Sequence, residues 1–128
     1  MRFLIDTQIA VWQAREPRRL SPAAIALLDD NDAELTFSVV TLWEVVIKDA
    51  LPRAPFAMDT ADFRGGLFES GYSELPVNAD HVLEVSNLPP IHGDPFDRIL
   101  LAQARVEGMT FITADRRLAE YGYPVRVV

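Results

Sequence analysis

"DPFDRILLAQARVEGMTFITAD", residues 94–115, contains a complete helix-to-strand unit. Asp94 fits an N-cap and Pro95 the first helical position. Asp97, at the third, can bond back to the cap while its charge complements the helix dipole. The most apolar helix of the chain then runs to Val106, and Gly108 stands where a C′ glycine ends a helix. "TFIT", residues 110–113, is an apolar strand, and Asp115 follows it. The two aspartates of "DPFD" allow two readings, a well-made helix start or a piece of a metal site. The rest of the chain has to separate them.

Outward from that unit the alternation repeats. "RFLI" (2–5) is a strand, and in "DTQIAVWQARE" (6–16) Ile9 and Trp12, then Val11 and Ala14, fall at helical spacing. After a loop at 16–20, Ser21 and Pro22 open a second helix. "ELTFSVV" (34–40) reads as a strand and "TLWEVVIKDAL" (41–51) as a helix ending before Pro52, with Thr41 and Glu44 spaced as a capping box. "PRAPF" (52–56) is a loop, and "MDTADFRGGLFESGY" (58–72) is helical in spite of Gly65 and Gly66. "ELPV" (74–77) is a short strand, Asn78 caps the next helix, and "PPIHG" (89–93) breaks the chain before Asp94. "ADRRLAEYG" (114–122) is a short helix and "PVRVV" (124–128) a final strand. Apolar strands alternating with helices predict a single α/β domain over residues 1–128. Its central, mostly parallel sheet is doubly wound, with helices on both faces.

The 128 residues, 49% of them hydrophobic and 24% charged, suffice for one core without staples. No run approaches the ~18 apolar residues of a membrane span, and "MRFLID" meets an aspartate too soon for a signal peptide, so a cytoplasmic protein is expected. With no cysteine, any metal must be a hard ion held by oxygen. The net charge of −7 sets 19 acids against eleven arginines and one lysine, Lys48, which argues against a protein that coats nucleic acid through a broad basic face. A nuclease is still allowed, because cations in an acidic pocket present positive charge locally. Arg15, Arg18 and Arg19 are either phosphate-binding loop residues or an exposed solubilising turn.

In parallel sheets ligands bind at the carboxyl ends of the strands. Asp6 ends "RFLI", Glu44 lies one helical turn after "ELTFSVV", Asp97 opens the most buried helix, and Asp115 follows "TFIT". Each has a capping explanation: Asp6 or Thr7 for the first helix, Thr41 with Glu44 for the third, Thr113 or Asp115 for the last. Capping does not explain why helix starts on one rim all carry acids with so little cationic relief. Two carboxylates about 4 Å apart repel by roughly 4 kcal/mol at an effective dielectric near 20. More of them require a cation or raised pKa values. Mg²⁺ or Mn²⁺ suits such a site, taking a few carboxylates and leaving positions for phosphate oxygens. The matching chemistry is metal-assisted phosphodiester hydrolysis.

With these residues in place, the chain resembles the PIN-domain ribonucleases, specifically the toxin component of VapBC-type toxin–antitoxin pairs. "FLIDTQIAVW", "SVVTLWEVVIKDAL", "HGDPFDRILLAQA" and "GMTFITADRRLAEYG" are similar to the family's four acidic motifs, in order and over nearly the whole chain. The resemblance implies a metal-dependent endoribonuclease with Asp6, Glu44, Asp97 and Asp115 as the pocket for Mg²⁺ or Mn²⁺ and Thr113 as a supporting hydroxyl. In that picture Asp94 caps and Asp97 belongs to the site. It also implies an RNA substrate, homodimers, and a cognate antitoxin that places a basic side chain in the acidic pocket. Many relatives carry His after the "DT" of the first motif. Gln8 stands there in this chain, and a glutamine cannot carry a proton.

His81 and His92 lack a partner histidine at a ligand spacing and read as structural or surface residues. Arg98 is expected to pair with Asp94 or Glu44, or to reach a substrate phosphate. Trp12 and Trp43 fall at apolar helical positions and read as core. Ser38 is a site hydroxyl or a plain strand-end serine. Three other readings compete. A receiver-like phosphoacceptor domain has a similar length and an acidic Mg²⁺ pocket, but it needs a lysine at a late strand end, and Lys48 lies mid-chain. A non-catalytic PIN-like binding module would have little reason to keep the acids. An aspartyl phosphatase would carry a second acid two residues after Asp6, where Gln8 stands.

Overall fold

Along β1 (Arg2–Ile5), Phe3 and Ile5 face one apolar layer and Leu4 the other, the period of two that a strand imposes. β4 (Thr110–Thr113) repeats the division with Ile112 and Phe111, so both faces of the sheet need helices over them. One layer is closed by α1 (Thr7–Arg15), α2 (Pro22–Leu28) and α4 (Thr60–Glu69), which contribute Ile9, Leu27 and Leu67. The other is closed by α6 (Pro95–Glu107) through Leu100, Leu101 and Ala104, with α5 (Ala79–Val85) outside it. The remaining elements are β2 (Glu34–Ser38), α3 (Val39–Asp49), β3 (Ser73–Leu75) and β5 (Val125–Val127). This computed structural model describes residues 1–52 and 58–128. Apart from Pro52, the loop expected at 52–56 lies outside the described residues.

Among the described residues the sheet has five strands in the order β3-β2-β1-β4-β5, and all four pairings are parallel. The expected mostly parallel, two-faced sheet is thus parallel throughout. A receiver-like domain would place its strands in the order 2-1-3-4-5, so the topology removes that alternative. The chain winds outward from β1 to β3, then crosses back to β4 on the other side. The switch point lies between β1 and β4, and a crevice opens outside their carboxyl ends.

Three local expectations need correction. The strand expected over 34–40 stops at Ser38, because the Ser38 hydroxyl accepts from the Val40 amide at 3.0 Å and caps α3. No Thr41–Glu44 capping box forms. Thr41 is buried, and its hydroxyl meets that of Thr7 at 2.9 Å, tying the start of α1 to α3. The helix expected over 114–122 is a 3-10 turn at Arg116–Tyr121. The tryptophans are not core either. α3 buries Val40, Thr41, Glu44 and Val45, which leaves Trp43 on the opposite face, 57% exposed and edge-on to Phe96. Trp12 is half-buried, with the Arg19 guanidinium 5.6 Å from its ring centre. α4 tolerates Gly65 and Gly66 because Asp59 caps it through the Asp62 amide and Phe63 and Leu67 are buried.

Candidate metal centre

Asp6 is the first residue past β1. Its amide donates to Ile112 O at 2.9 Å, which continues the β1–β4 ladder and holds the residue at the rim. It occupies the N-cap position of α1, yet its side chain makes no cap bond. Instead Oδ2 accepts from the Thr113 hydroxyl at 2.6 Å, and Thr113 Oγ1 accepts from the Asp115 amide at 3.0 Å. One hydroxyl on β4 therefore sets two acids.

Glu44 is carried inward by α3 and is 7% exposed. Its Oε2 accepts from Lys48 Nζ at 2.6 Å, while Oε1 is buried without a hydrogen-bond partner among the described residues. At the start of α6 the roles divide. Asp94 Oδ1 accepts from the amides of Phe96 and Asp97, at 2.8 and 3.1 Å, so Asp94 is the cap and the Asp97 carboxylate is left for the crevice. Asp115 does both jobs: Oδ1 accepts from the Arg117 amide at 3.0 Å, and Oδ2 pairs with Arg117 Nη2 at 2.7 Å. All four expected acids line one cavity of about 290 Å³, together with Gln8, Trp12, Lys48, Asp94 and Arg117.

Charge is unevenly relieved. Burial pushes the Asp6 carboxyl up to about 7, against the Thr113 hydrogen bond, with the charges of Asp97 and Glu44 adding to the shift. Burial, then Asp94 and Glu44, push Asp97 up to about 6, with His92 opposing. The hydrogen bond from Arg117 holds Asp115 below the usual carboxylate range. Burial works against the Lys48 charge, but the hydrogen bond and charge of Glu44, backed by Asp94 and Asp97, raise its pKa. The expectation of little cationic relief is thus corrected. Lys48 and Arg117 serve Glu44 and Asp115, and the deficit concentrates on Asp6 and Asp97.

His92, set aside on the sequence, comes into the site. Its Nδ1 lies 3.9 Å from Asp97 Oδ2, and His92, Asp97 and Asp115 each offer a ligand atom within 4.8 Å of the others. This trio and the cavity carboxylates overlap at Asp97 and Asp115, which makes those two aspartates the junction of the site. His81 is structural, as expected: its Nδ1 accepts from the Asn78 amide at 3.1 Å and its Nε2 meets Glu107 at 2.8 Å. Arg98 does not pair with Asp94 or Glu44. Its guanidinium donates to the carbonyls of Pro89 and Val85 and to the Tyr121 hydroxyl, at 3.0, 3.3 and 3.1 Å, turned away from the acids. The His92 amide donates to the same hydroxyl at 3.1 Å, so Arg98 reaches the site only by anchoring the segment that carries His92. Ser38 donates to Gln103 Oε1 at 2.5 Å and touches no site carboxylate.

The crevice at the switch point is lined by acids from four parts of the chain, and the PIN-domain family model matches residues 3–123. The chain belongs to the PIN-domain family. This PIN domain is 31% identical over 124 residues to Ribonuclease VapC22 of Mycobacterium tuberculosis (strain ATCC 25618 / H37Rv), covering 94% of this chain and 92% of that protein. It also superposes on the crystal structure of VapBC2 from Rickettsia felis bound to a DNA fragment from its promoter, with a TM-score of 0.72 at 12% identity over 100% of this chain and 98% of that one. VapC20 of Mycobacterium tuberculosis, a toxin cleaving the sarcin-ricin loop, gives a TM-score of 0.63 at 17% identity over 94% and 95% of the two chains. At those identities the two structural likenesses are likenesses of fold.

Proposed function

We propose that this PIN domain is a Mg²⁺- or Mn²⁺-dependent endoribonuclease, the toxin of a type II toxin–antitoxin pair, which acts in the cytoplasm and is held inactive by a cognate antitoxin. Glu44 Oε1 carries the reading. An acceptor shut off from water and from every described donor costs about 1–3 kcal/mol, and a cation in the crevice is the partner that removes the cost. The donor set fits a hard divalent ion: carboxylate oxygens from Asp6, Glu44, Asp97 and Asp115, with the His92 imidazole beside the last two. When bound, the ion supplies a Lewis acid that activates water and stabilises charge on the phosphate and the leaving oxygen.

The chain's own residues do the rest. Thr113 fixes the Asp6 carboxylate by its hydroxyl, and the Asp94 cap fixes the turn from which Asp97 reaches the crevice. Gln8 lines the same cavity and, unlike a histidine, cannot carry a proton. Kinship with the ribonuclease VapC22 supports the substrate class. The VapBC2 likeness supports a protein partner, and an acidic cavity suits a basic side chain from it. No helix among the described residues is long and apolar enough to cross a membrane.

The test is cleavage of a mixed RNA pool by protein first stripped of metal. Cleavage restored by Mn²⁺ or Mg²⁺ and abolished by EDTA is the expected result, and undiminished cleavage in excess EDTA overturns the metal dependence. Binding of Mn²⁺ and RNA without any cutting would return the chain to the binding-module alternative.

A further inference from the structure

Lys48 is the only lysine of the chain, and α3 places it one turn beyond Glu44, where the two residues share the metal cavity. The contact is specific at the level of atoms. Oε2 of Glu44 takes the ammonium at 2.6 Å, and Oε1 is the oxygen left without a partner among the described residues. The carboxylate is almost fully buried and the lysine side chain 35% exposed, so a buried anion pins a cation that still faces the opening. Arg117 is the contrast. It lines the same cavity, but 74% of its side chain is exposed and it pairs with the more open Asp115, an arrangement typical of a weak surface pair.

Resting on the ribonuclease reading above, we propose that Lys48 is the residue through which the site grips the phosphate of its RNA substrate. Glu44 would hold the divalent ion through Oε1 while Oε2 keeps the ammonium, so that both positive charges would be available to one phosphodiester. A compact ammonium suits this task because it binds a phosphate oxygen as a point charge.

The electrostatics set signs that a purely structural role does not share. Lys48 repels a divalent ion bound at Glu44 and attracts a phosphate. If Lys48 only held Glu44 in place, removing it would loosen the carboxylate and weaken metal binding, by the roughly tenfold or more typical of lost outer-shell partners.

The experiment compares wild type, Lys48→Met and Lys48→Arg by Mn²⁺ affinity without RNA, from electron paramagnetic resonance of the free ion, and by KM and kcat for RNA cleavage. Lys48→Met is expected to bind Mn²⁺ several-fold more tightly while KM for RNA rises about tenfold, a change of about 1.4 kcal/mol. Lys48→Arg, which keeps the charge, should recover most of the KM. Weaker Mn²⁺ binding by Lys48→Met, or an unchanged KM, overturns the proposal while leaving the ribonuclease reading intact. Wild type that neither binds Mn²⁺ nor cuts RNA overturns both.

Discussion

His81 and Glu44 are almost equally shut off from solvent, at 0% and 7% exposure, yet they are equipped in opposite ways. Both ring nitrogens of His81 are engaged, by the Asn78 amide and by Glu107. Gln103 joins His81 to the Pro76 carbonyl and to the Ser38 hydroxyl, so this cluster closes on itself across α5, α6 and the cap of α3. At Glu44 the closure is missing, and beside it Asp6 and Asp97 hold their protons to about 7 and about 6. A complete buried network fixes structure, whereas an incomplete one in an open crevice is destabilising and persists only where something else completes it. The two clusters therefore differ in what should happen when a member is removed.

The largest effect is expected at Asp97. Its raised pKa reports burial and repulsion from Asp94 and Glu44, both of which disappear with the charge. Metal-free Asp97→Asn should melt no lower than wild type, yet cleave RNA more slowly by a factor on the order of a thousand. It should also lose most of the melting shift that Mn²⁺ gives wild type. Calorimetry with and without Mn²⁺ and a cleavage assay check it. A variant that melts lower and still cuts in a metal-dependent way would leave Asp97 as part of a helix start and nothing more.

Asp6 and Asp97 give the crevice a pH signature. Their folded pKa values, about 7 and about 6, lie above the unfolded value of 3.8, so the native state holds extra protons in that window. The stability they contribute is complete below pH 3.8 and is lost as pH rises through about 6 and then 7. At about 1.4 kcal/mol for each tenfold change in proton affinity, the effect on metal-free protein is on the order of a few kcal/mol for each carboxyl. Mn²⁺ should release protons on binding below pH 6, seen as buffer-dependent heat in calorimetry, and release fewer at pH 8. Proton release that does not change between those two conditions would place the ion elsewhere.

Removing Gln103 should do the reverse of removing Asp97. Gln103→Leu strips the Ser38 hydroxyl and the Pro76 carbonyl of their partner, and leaving such groups buried costs about 1–3 kcal/mol. Denaturant unfolding should show that loss, with Mn²⁺ affinity within about threefold of wild type, as for sites that do not share partners. A fall in metal affinity matching the fall in stability would mean that the clusters are one network, coupled through the Ser38 cap of α3.

Much of this contrast is legible in the sequence, and most of the exceptions turn on what distant parts of the chain contribute. Period-two strands, the Asp94–Pro95 start and the Gly108 stop are local signals, and the acids at strand ends follow from them. Val39 and Val40 read as strand because both are β-branched, but the Ser38 cap, fixed by Gln103 65 positions away, turns them into helix. His92 carries no ligand spacing. It reaches Asp97 because Arg98 and Tyr121 tie down its loop, a contact across 29 positions. Trp43 shows the limit of helical spacing, which finds a face without saying whether anything covers it. Lys48 is the instructive miss: its i,i+4 relation to Glu44 is plain in the sequence, but on position alone it counts only against a late strand-end lysine.

The smallest effect belongs to Asp94, and it tests whether neighbouring aspartates with different partners have different tasks. Asp94 Oδ1 accepts the amides of Phe96 and Asp97, and an asparagine keeps that oxygen and remains a good cap. What Asp94→Asn loses is charge, with two consequences of opposite sign. The helix dipole contribution of about 0.3–1 kcal/mol is lost. The repulsion that helps to raise Asp97 is relieved, so the Asp97 pKa should move down from about 6. The two nearly cancel, and stability should stay within about 0.5 kcal/mol of wild type, the range of an ordinary surface change. Cleavage should remain within about an order of magnitude, or about 1.4 kcal/mol of barrier. Asp94→Ala, which removes the acceptor, should cost about 1 kcal/mol of stability, so the pair separates cap from charge. If Asp94→Asn abolished cleavage at unchanged stability, Asp94 would hold the ion as well as the helix, and the division of "DPFD" into cap and ligand would be wrong.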